Sequence, residues 1–565
     1  MGLSVHNISR NQLITVVWII FLALTCLMLN LQWNPVFQYL LSDSGVYAYM
    51  GSAIAHGQVP YRDVMQGQPP VGFYLDALAI FLFGQTPWAI WWINVIWIIL
   101  STALFFIILK RMFSLAASML ASLFFTVAVM LPSLFMGGNL MEVFGLLPQV
   151  LIIGATFSFF STKQNRWIAI IGFLAGISFM TKQTTIALGI ASFISILVFT
   201  FLWHEWNSLW KRLVFYGVGV AIPIGVATLY FSLANAFNQY LAGVFLYSLG
   251  YVGVGAPFFW SIKNTFLSVF PKLFISKLYF IAAATVIVYL LENYQRFLKM
   301  FFPHRRENPR VVEVFPAVEV TMLAVFFALP IELVFTSLGG RNLGHYFISL
   351  IPATVTAIGY SFWKMFLFIR DSQINFKTSR TWSGLVSILL NLFSLYWLVI
   401  ALSGEIPTKT HLASISSIFS QEYEMDDLQI YILANTEPVD PVLVWHIHLV
   451  NNFITNRRPP QRVIFPGELF LSNGKEVNLL TEFVDQLETN PPKLIIVQEK
   501  SSIGLPFVNV PVEDMCPQDA CLPEMASAMK SPETILELQK LRDYFLENYV
   551  LDTQIYDWLI YKRIQ

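Results

Sequence analysis

Apolar positions in this chain fall into long unbroken runs rather than amphipathic stripes. Runs of roughly 17–25 apolar residues are long enough to cross a bilayer as helices. They predict spans near 13–33, 89–109, 113–132, 142–161, 167–181, 184–203, 214–235, 274–292, 314–338, 346–369 and 383–403, about eleven in all. The first run, Leu13 to Leu31, lacks a small-residue cleavage site and reads as a retained span rather than a signal peptide. The stretch 236–273 is apolar but broken by Gly250, Gly253, Gly255 and Pro257, and it reads as a membrane-edge loop.

After Gly404 the pattern changes. Short apolar runs at Ile430–Leu433, Val442–Trp445 and Leu494–Val497 alternate with helical periods at Val477–Leu487 and Thr534–Tyr549. Alternation of this kind predicts a small α/β domain over 405–565 behind a membrane domain over 1–404. The expected fold class is a polytopic α-helical membrane protein with a C-terminal α/β domain. No internal repeat is visible, which argues against a transporter built from repeats.

Basic residues orient the spans. With a cytoplasmic N-terminus, inner segments carry Lys110, Arg111, Lys163, Arg166, Lys211 and Arg212, then the basic stretch 296–310, then Arg370, Lys377 and Arg380. The outer loops carry only Arg62, Lys182, Lys263, Lys272 and Arg341. This positive-inside pattern predicts a multi-pass protein of the plasma (inner) membrane, with the first loop and the C-terminal domain extracytoplasmic. The stretch 296–310 reads as an anchor for anionic lipid.

Composition agrees. Of the 565 residues, 56% are hydrophobic and 12% charged, against about 25% charged in soluble proteins. Net charge is zero, so nothing points to nucleic acid. Three cysteines, Cys26, Cys516 and Cys521, exclude a disulfide scaffold and a multi-cysteine zinc site. Cys516 and Cys521, outside in this topology, are candidates for one disulfide. His446 and His448 share a strand face without an obvious third metal ligand.

Against this background the first loop, 34–88, is a polar island. Ser42 can cap a helix that starts at Asp43 and sets Asp43, Tyr47 and Met50 on one face. Gly57 ends that helix. Pro60 to Asp63 makes a turn tied by an Arg62–Asp63 ion pair, and Pro69 and Pro70 open a second helix that stops at Gly84. The pattern suits two amphipathic helices lying along the membrane surface. Carboxylates at a membrane edge are costly, so their default reading is functional. The helix dipole favours the Asp43 charge. An ionised Asp beside an acceptor hydroxyl acts as a general base; capping the helix is the competing role.

The run SDSGVYAYMGSAIAHGQVPYRDVMQGQPPVGFYLDALAIFLFG resembles the first outer loop of GT-C superfamily glycosyltransferases of the family 39 type. That type includes the protein O-mannosyltransferases and the bacterial aminoarabinose transferases. Further elements resemble it: Asn139 with Glu142, Lys182 after a span containing Gly172 and Gly176, and Arg341, His345 and Tyr346 before Pro352. The resemblance implies inverting transfer of a hexosyl or pentosyl group from a polyprenyl-phosphate-linked donor. The acceptor hydroxyl, on a glycan, lipid or protein, would lie on the outer face. Asp43 would be the base and Glu142 a second catalytic group. Lys182 and Arg341 would meet the leaving phosphate. Tyr47, Tyr61, Arg62, Asp63, Gln68, His345 and Tyr346 join the substrate-binding candidates. Some GT-C enzymes use a divalent cation, Mg or Mn; Asp43 with Glu142 would be a thin ligand set for one. One departure stands out: close relatives often carry a phosphate-binding Lys just before the Pro-Pro pair, where this chain has Gln68. Glu332, near the outer end of its span, is a candidate partner for Arg341. The competing reading is a transporter or flippase of lipid-linked substrates. It would need polar residues deep in the spans, and the pattern gathers them at one membrane face.

Overall fold

The computed structural model describes residues 10–36, 40, 43–247, 258–301, 315–338, 343–371, 376, 378–405, 420, 423–445, 449–464, 469, 479–498 and 531–564. Ser42, Arg341, His446, His448, Cys516 and Cys521 lie outside the described residues. The membrane part is built from α1 (Arg10–Asn30), α2 (Asp43–Ala55), α3 (Val71–Phe83), α4 (Pro87–Met112), α5 (Leu115–Val129), α6 (Met141–Thr162) and α7 (Arg166–Thr181). It continues with α8 (Ala187–Leu202), α9 (Trp206–Leu233), α10 (Phe274–Phe301), α11 (Ala317–Ser337), α12 (Ile351–Asp371) and α13 (Ser379–Ile400).

Among the described residues, nine helices are long and apolar enough to cross a membrane. The shorter apolar helices α5 and α7 fall where the remaining two spans are expected. The chain is a multi-pass helical membrane protein. Between α9 and α10 the described residues form short helical turns at 237–246 and 258–272 rather than a long span. One continuous apolar core joins α1, α4 to α8 and α10 to α12.

The first loop departs from its expected form. α2 begins at Asp43 and α3 ends at Gly84, as the proline and glycine positions imply. Yet α2 is not a surface amphipathic helix, for every residue from Ser44 to Ala53 is buried. The cause is the C-terminal domain, which covers the face that would otherwise meet water.

That domain contains α14 (Asp427–Asn435), β1 (Val442–Trp445), α15 (Val450–Thr455), α16 (Leu479–Thr489), β2 (Leu494–Gln498), α17 (Pro532–Asn548), β3 (Tyr549–Ile555) and β4 (Trp558–Arg563). The strand order is β1-β2-β4-β3. β1 and β2 are parallel, while β2 with β4 and β3 with β4 are antiparallel. Leu443, Trp445, Ile495 and Val497 pack toward α16 and α17, and Val442, Val444, Leu494 and Ile496 pack toward α14. Both faces of β1 and β2 are covered, which is why those two strands read as unbroken apolar runs. The apolar run Ile430–Leu433 is helix and not strand. Asp426 and Gln429 form a capping box that commits the segment to α14.

Polar groups do not gather at one end of the spans alone. Lys364 of α12 lies 2.9 Å from Glu319 of α11 and 3.3 Å from Glu292 of α10. The Tyr360 hydroxyl and the Asn293 amide donate to Glu319 at 2.7 and 3.1 Å. This cluster sits about 20 Å along α12 from the α12 N-terminus. The charges are paired and hydrogen-bonded, so the cluster has the form of a structural tie among helices. Replacing Lys364 by Met strands two carboxylates in the core. It should lower stability by about 3–5 kcal/mol, read as a fall in thermal midpoint in lipid nanodiscs, with partial recovery when Glu319→Gln is added.

Candidate active site

Four chain breaks meet at one end of the membrane body, and each sets one polar side chain. The first is the start of α2, which carries Asp43 in its first turn. The second precedes α6, where Met136, Gly137, Gly138 and Asn139 take consecutive φ values of 47, 94, 81 and 51°. Such angles suit glycine, and asparagine tolerates them. This left-handed turn aims the Gly138 carbonyl at Ser44, whose Oγ donates to it at 2.5 Å. It also leaves Glu142 in the first turn of α6.

The third break separates α7 from α8. Lys182 is extended there, at φ −154° and ψ 131°, and a 3-10 turn over Gln183–Ile186 follows. The Thr185 hydroxyl pins the break by donating to Ser178 O at 2.8 Å or Lys182 O at 2.9 Å. The fourth is the 3-10 turn Gly344–Leu350 before α12, which carries His345 and Tyr346.

These breaks bring Asp43, Glu142, Lys182, His345 and Tyr346 together. The Lys182 ammonium donates to Glu142 Oε1 and sits 4.0 Å from the centre of the Tyr346 ring. His345 Nε2 lies 3.6 Å from Asp43 Oδ2 and 3.9 Å from Glu142 Oε1. These separations suit charge attraction but are too long for hydrogen bonds. His345 Nδ1 is 3.4 Å from the Met136 sulfur. Exposure divides the carboxylates: the Asp43 side chain is 37% exposed, the Glu142 side chain 2%. Asp43 is open to an incoming molecule, whereas Glu142 is in a buried ion pair with Lys182.

The other candidates form a separate group. Tyr47 is buried, its ring 5.9 Å from that of Phe73. Tyr61 is fully buried with φ 68°, and its hydroxyl donates to Gln68 O at 2.7 Å. Its ring packs edge-on against Phe231 and Tyr240, and burial pushes its phenol far up. Both rings are packed into the protein interior. Arg62 pairs with Asp63 at 2.8 Å, as expected, and donates to Ala234 O at 2.7 Å. The Arg62 guanidinium holds the Asp63 carboxyl below its usual range. The turn therefore keeps this contribution above the ordinary carboxylate range and loses it as pH falls through the lowered value. Gln68 is half-buried and its Oε1 has no hydrogen-bond partner. Glu332 accepts from Gln149 Nε2 at 3.0 Å.

Among the described residues no three His, Cys, Asp or Glu side chains are placed to hold a metal. The carboxylate that would help Asp43 do so is occupied by Lys182. Among the described residues the donor set does not fit a divalent cation. A cavity of about 10 Å³, room for one water, is lined by Asn30, Trp33, Trp91, Asn94 and Asn139 among others.

The C-terminal domain grips this site from above α2. The Met65 amide donates to Arg462 O at 2.8 Å, and Arg462 Nη1 donates to Tyr61 O at 2.9 Å. The rest of the Arg462 fork is held by Glu482 at 2.7 and 2.8 Å. A Cβ on Gly45 would come 3.1 Å from Val450 and 2.8 Å from Leu40 O, so α2 and α15 touch backbone to backbone.

Residues 67–254 match the family described as dolichyl-phosphate-mannose-protein mannosyltransferase. The match spans 188 of the chain's 565 residues. The GT-C glycosyltransferase type read from the first loop is met here by a match that contains Glu142 and Lys182 and begins beyond Asp43. Two crystal structures of ArnT from Cupriavidus metallidurans are also similar, one bound to undecaprenyl phosphate and one in the apo state. Sequence identity is 14% and 13%, and the TM-scores are 0.46 and 0.47. In each case 97% of this chain and 98% of that chain are covered. No curated protein sequence matches the chain.

The grip predicts a measurable softening. In Arg462→Gln, amide hydrogen exchange over residues 60–65 should speed up about 10- to 100-fold, the equivalent of one lost charged hydrogen bond. Unchanged exchange would mean that the backbone contacts hold the loop without the arginine.

Proposed function

We propose that the protein is a glycosyltransferase that moves a sugar from a polyprenyl-phosphate-linked donor to an acceptor hydroxyl, with Asp43 as general base. One observation carries the reading. The half-open Asp43 faces a buried Glu142–Lys182–His345 group, two members of which lie in the family-matched segment.

In this reading Asp43 takes the proton from the acceptor hydroxyl as the acceptor oxygen bonds to the anomeric carbon. The bond from that carbon to the lipid-phosphate oxygen breaks, and its electron pair leaves with the phosphate. Attack opposite the leaving group inverts the configuration. The leaving phosphate is a stable anion, so it needs charge compensation rather than a strong acid. Lys182 and Arg341 are the cations assigned to that task, in the absence of a lysine at Gln68. Glu142 keeps the Lys182 ammonium in place and flanks His345, and it acts through them. The basic residues along the chain support an extracytoplasmic position for the site and the C-terminal domain.

Asp43→Asn should insert and fold normally and lose at least about 100-fold in transfer, the scale of a general base. A deletion strain should accumulate the polyprenyl-phosphate sugar and lack one envelope modification, both visible by mass spectrometry. Undiminished transfer by Asp43→Asn would sink the mechanism.

A further inference from the structure

We propose that Asp76 of α3 is a positioning residue that sets the Asp43 end of α2 by holding the side chain of Asn139. The inference rests on the reading of Asp43 as the base.

Asp76 is fully buried. Its Oδ2 accepts from Asn139 Nδ2 at 3.1 Å, while Oδ1 has no hydrogen-bond partner among the described residues. A buried carboxyl with half its capacity unused is costly in an apolar helix and calls for a reason. The reason lies in what Asn139 does with its other groups. The same Nδ2 donates to Ser44 O at 3.0 Å, one residue after Asp43. The Asn139 backbone amide donates to Asn94 Oδ1 at 2.8 Å, and the Asn94 amide reaches Asn139 Oδ1 at 3.4 Å. Asn139 therefore uses both amide hydrogens, one on α2 and one on Asp76, while α4 holds its oxygen and its backbone.

An asparagine amide is close to symmetric in shape, so only its partners fix which way it faces. Asn94 and Asp76 demand opposite ends, and together they permit one orientation. That orientation presents a donor to Ser44 O. Without Asp76 the amide loses one of the two contacts that define it. The start of α2 then keeps only the Ser44–Gly138 hydrogen bond on this side. Asn139 is also three residues before Glu142, so the same link ties the two carboxylates of the site to a common frame. α2 and α3 are in direct contact here, since a Cβ on Gly51 would lie 2.5 Å from the Asp76 Cβ.

Burial pushes the Asp76 carboxyl up to about 8, opposed in part by the Asn139 amide. No charged side chain among the described residues pairs with it. Asp76 is thus mainly protonated below about 8 and becomes a buried charge as pH rises through that value.

The test uses the full-length protein in nanodiscs and three variants: Asp76→Leu, Asp76→Asn and Asp43→Asn. Turnover is followed by mass spectrometry on the polyprenyl-phosphate sugar pool extracted from a deletion strain, at pH values on both sides of about 8. Asp76→Leu should lose about 10-fold or more in kcat with KM for the donor within about two-fold, because the base is displaced and not the donor site. Exchange of the α2 amides should quicken in parallel. Asp76→Asn keeps an acceptor for Asn139, so it should recover most of kcat. Native kcat in Asp76→Leu beside an inactive Asp43→Asn overturns the proposal and leaves the base assignment standing. Equal loss in the Leu and Asn variants also overturns it. If Asp76→Leu fails to fold, Asp76→Ala takes its place, and native kcat with native exchange of the α2 amides in that variant overturns the proposal. Activity in Asp43→Asn overturns the underlying reading instead.

Discussion

A helix of 13 residues is too short to hold itself together in water, where about 12–15 residues is the lower limit even for favourable sequences. α2 is such a helix, and it carries the one open carboxylate of the site. Its order must come from packing. On one side it lies against α3, with Tyr47 and Tyr49 in a shared apolar cluster with Phe73 and Phe144. On the other it lies against the C-terminal domain, through Leu449, Phe453 and Ile464 in that same cluster. The domain adds backbone contacts as well, in the bridge between Met65 and Val463. The position of Asp43 is thus a joint property of two parts of the chain about 400 residues apart.

The charges of the site follow from the same enclosure. In a dry interior an unpaired ion is far more costly than a paired one. Glu142 and Lys182 are both withdrawn from solvent and hold each other, which locks the start of α6 to the break after α7. His345 lies between this pair and Asp43, at distances that let it respond to either carboxylate. The arrangement has a gradient of exposure, closed at Glu142 and open at Asp43. The Lys364 cluster obeys the same rule at a distance, with one ammonium held between two carboxylates.

How much of this the residues disclose in advance depends on the range of the forces involved. Spans are written locally, as apolar length, and they were legible one by one. The opening of α3 after Pro70, its stop at Gly84 and the Arg62–Asp63 pair are also local, set by proline, glycine and adjacent charge. The grouping of Asp43, Glu142, Lys182 and His345 was legible only through family resemblance, since their spacing along the chain carries no geometric information. Burial of α2 was not legible, because the surface that covers it is contributed by Val450 and its neighbours. Asp76 escaped notice for a related reason: one carboxylate among apolar helix positions looks accidental until Asn139 is seen beside it. The segment Ile430–Leu433 misled because four apolar residues suit strand or helix equally, and the deciding cap lies upstream at Asp426. The hairpin of β3 and β4 has mixed polar and apolar positions, as an edge of a partly solvated sheet does.

Charge balance now bears on the donor. Asp43, Glu142 and Lys182 sum to one negative charge, and a lipid phosphate adds another. Glu142 already engages Lys182, so any charge the lysine lends a phosphate is shared with Glu142. A relative with a lysine at the position of Gln68 would cancel the phosphate directly. This chain must do so otherwise, and Arg341 is four residues before His345 in sequence. If the arginine supplies the missing charge, the phosphate is drawn toward the His345 side of the site, away from the Gln68 turn. That turn is itself committed to packing, through Tyr61 and the grip of Arg462.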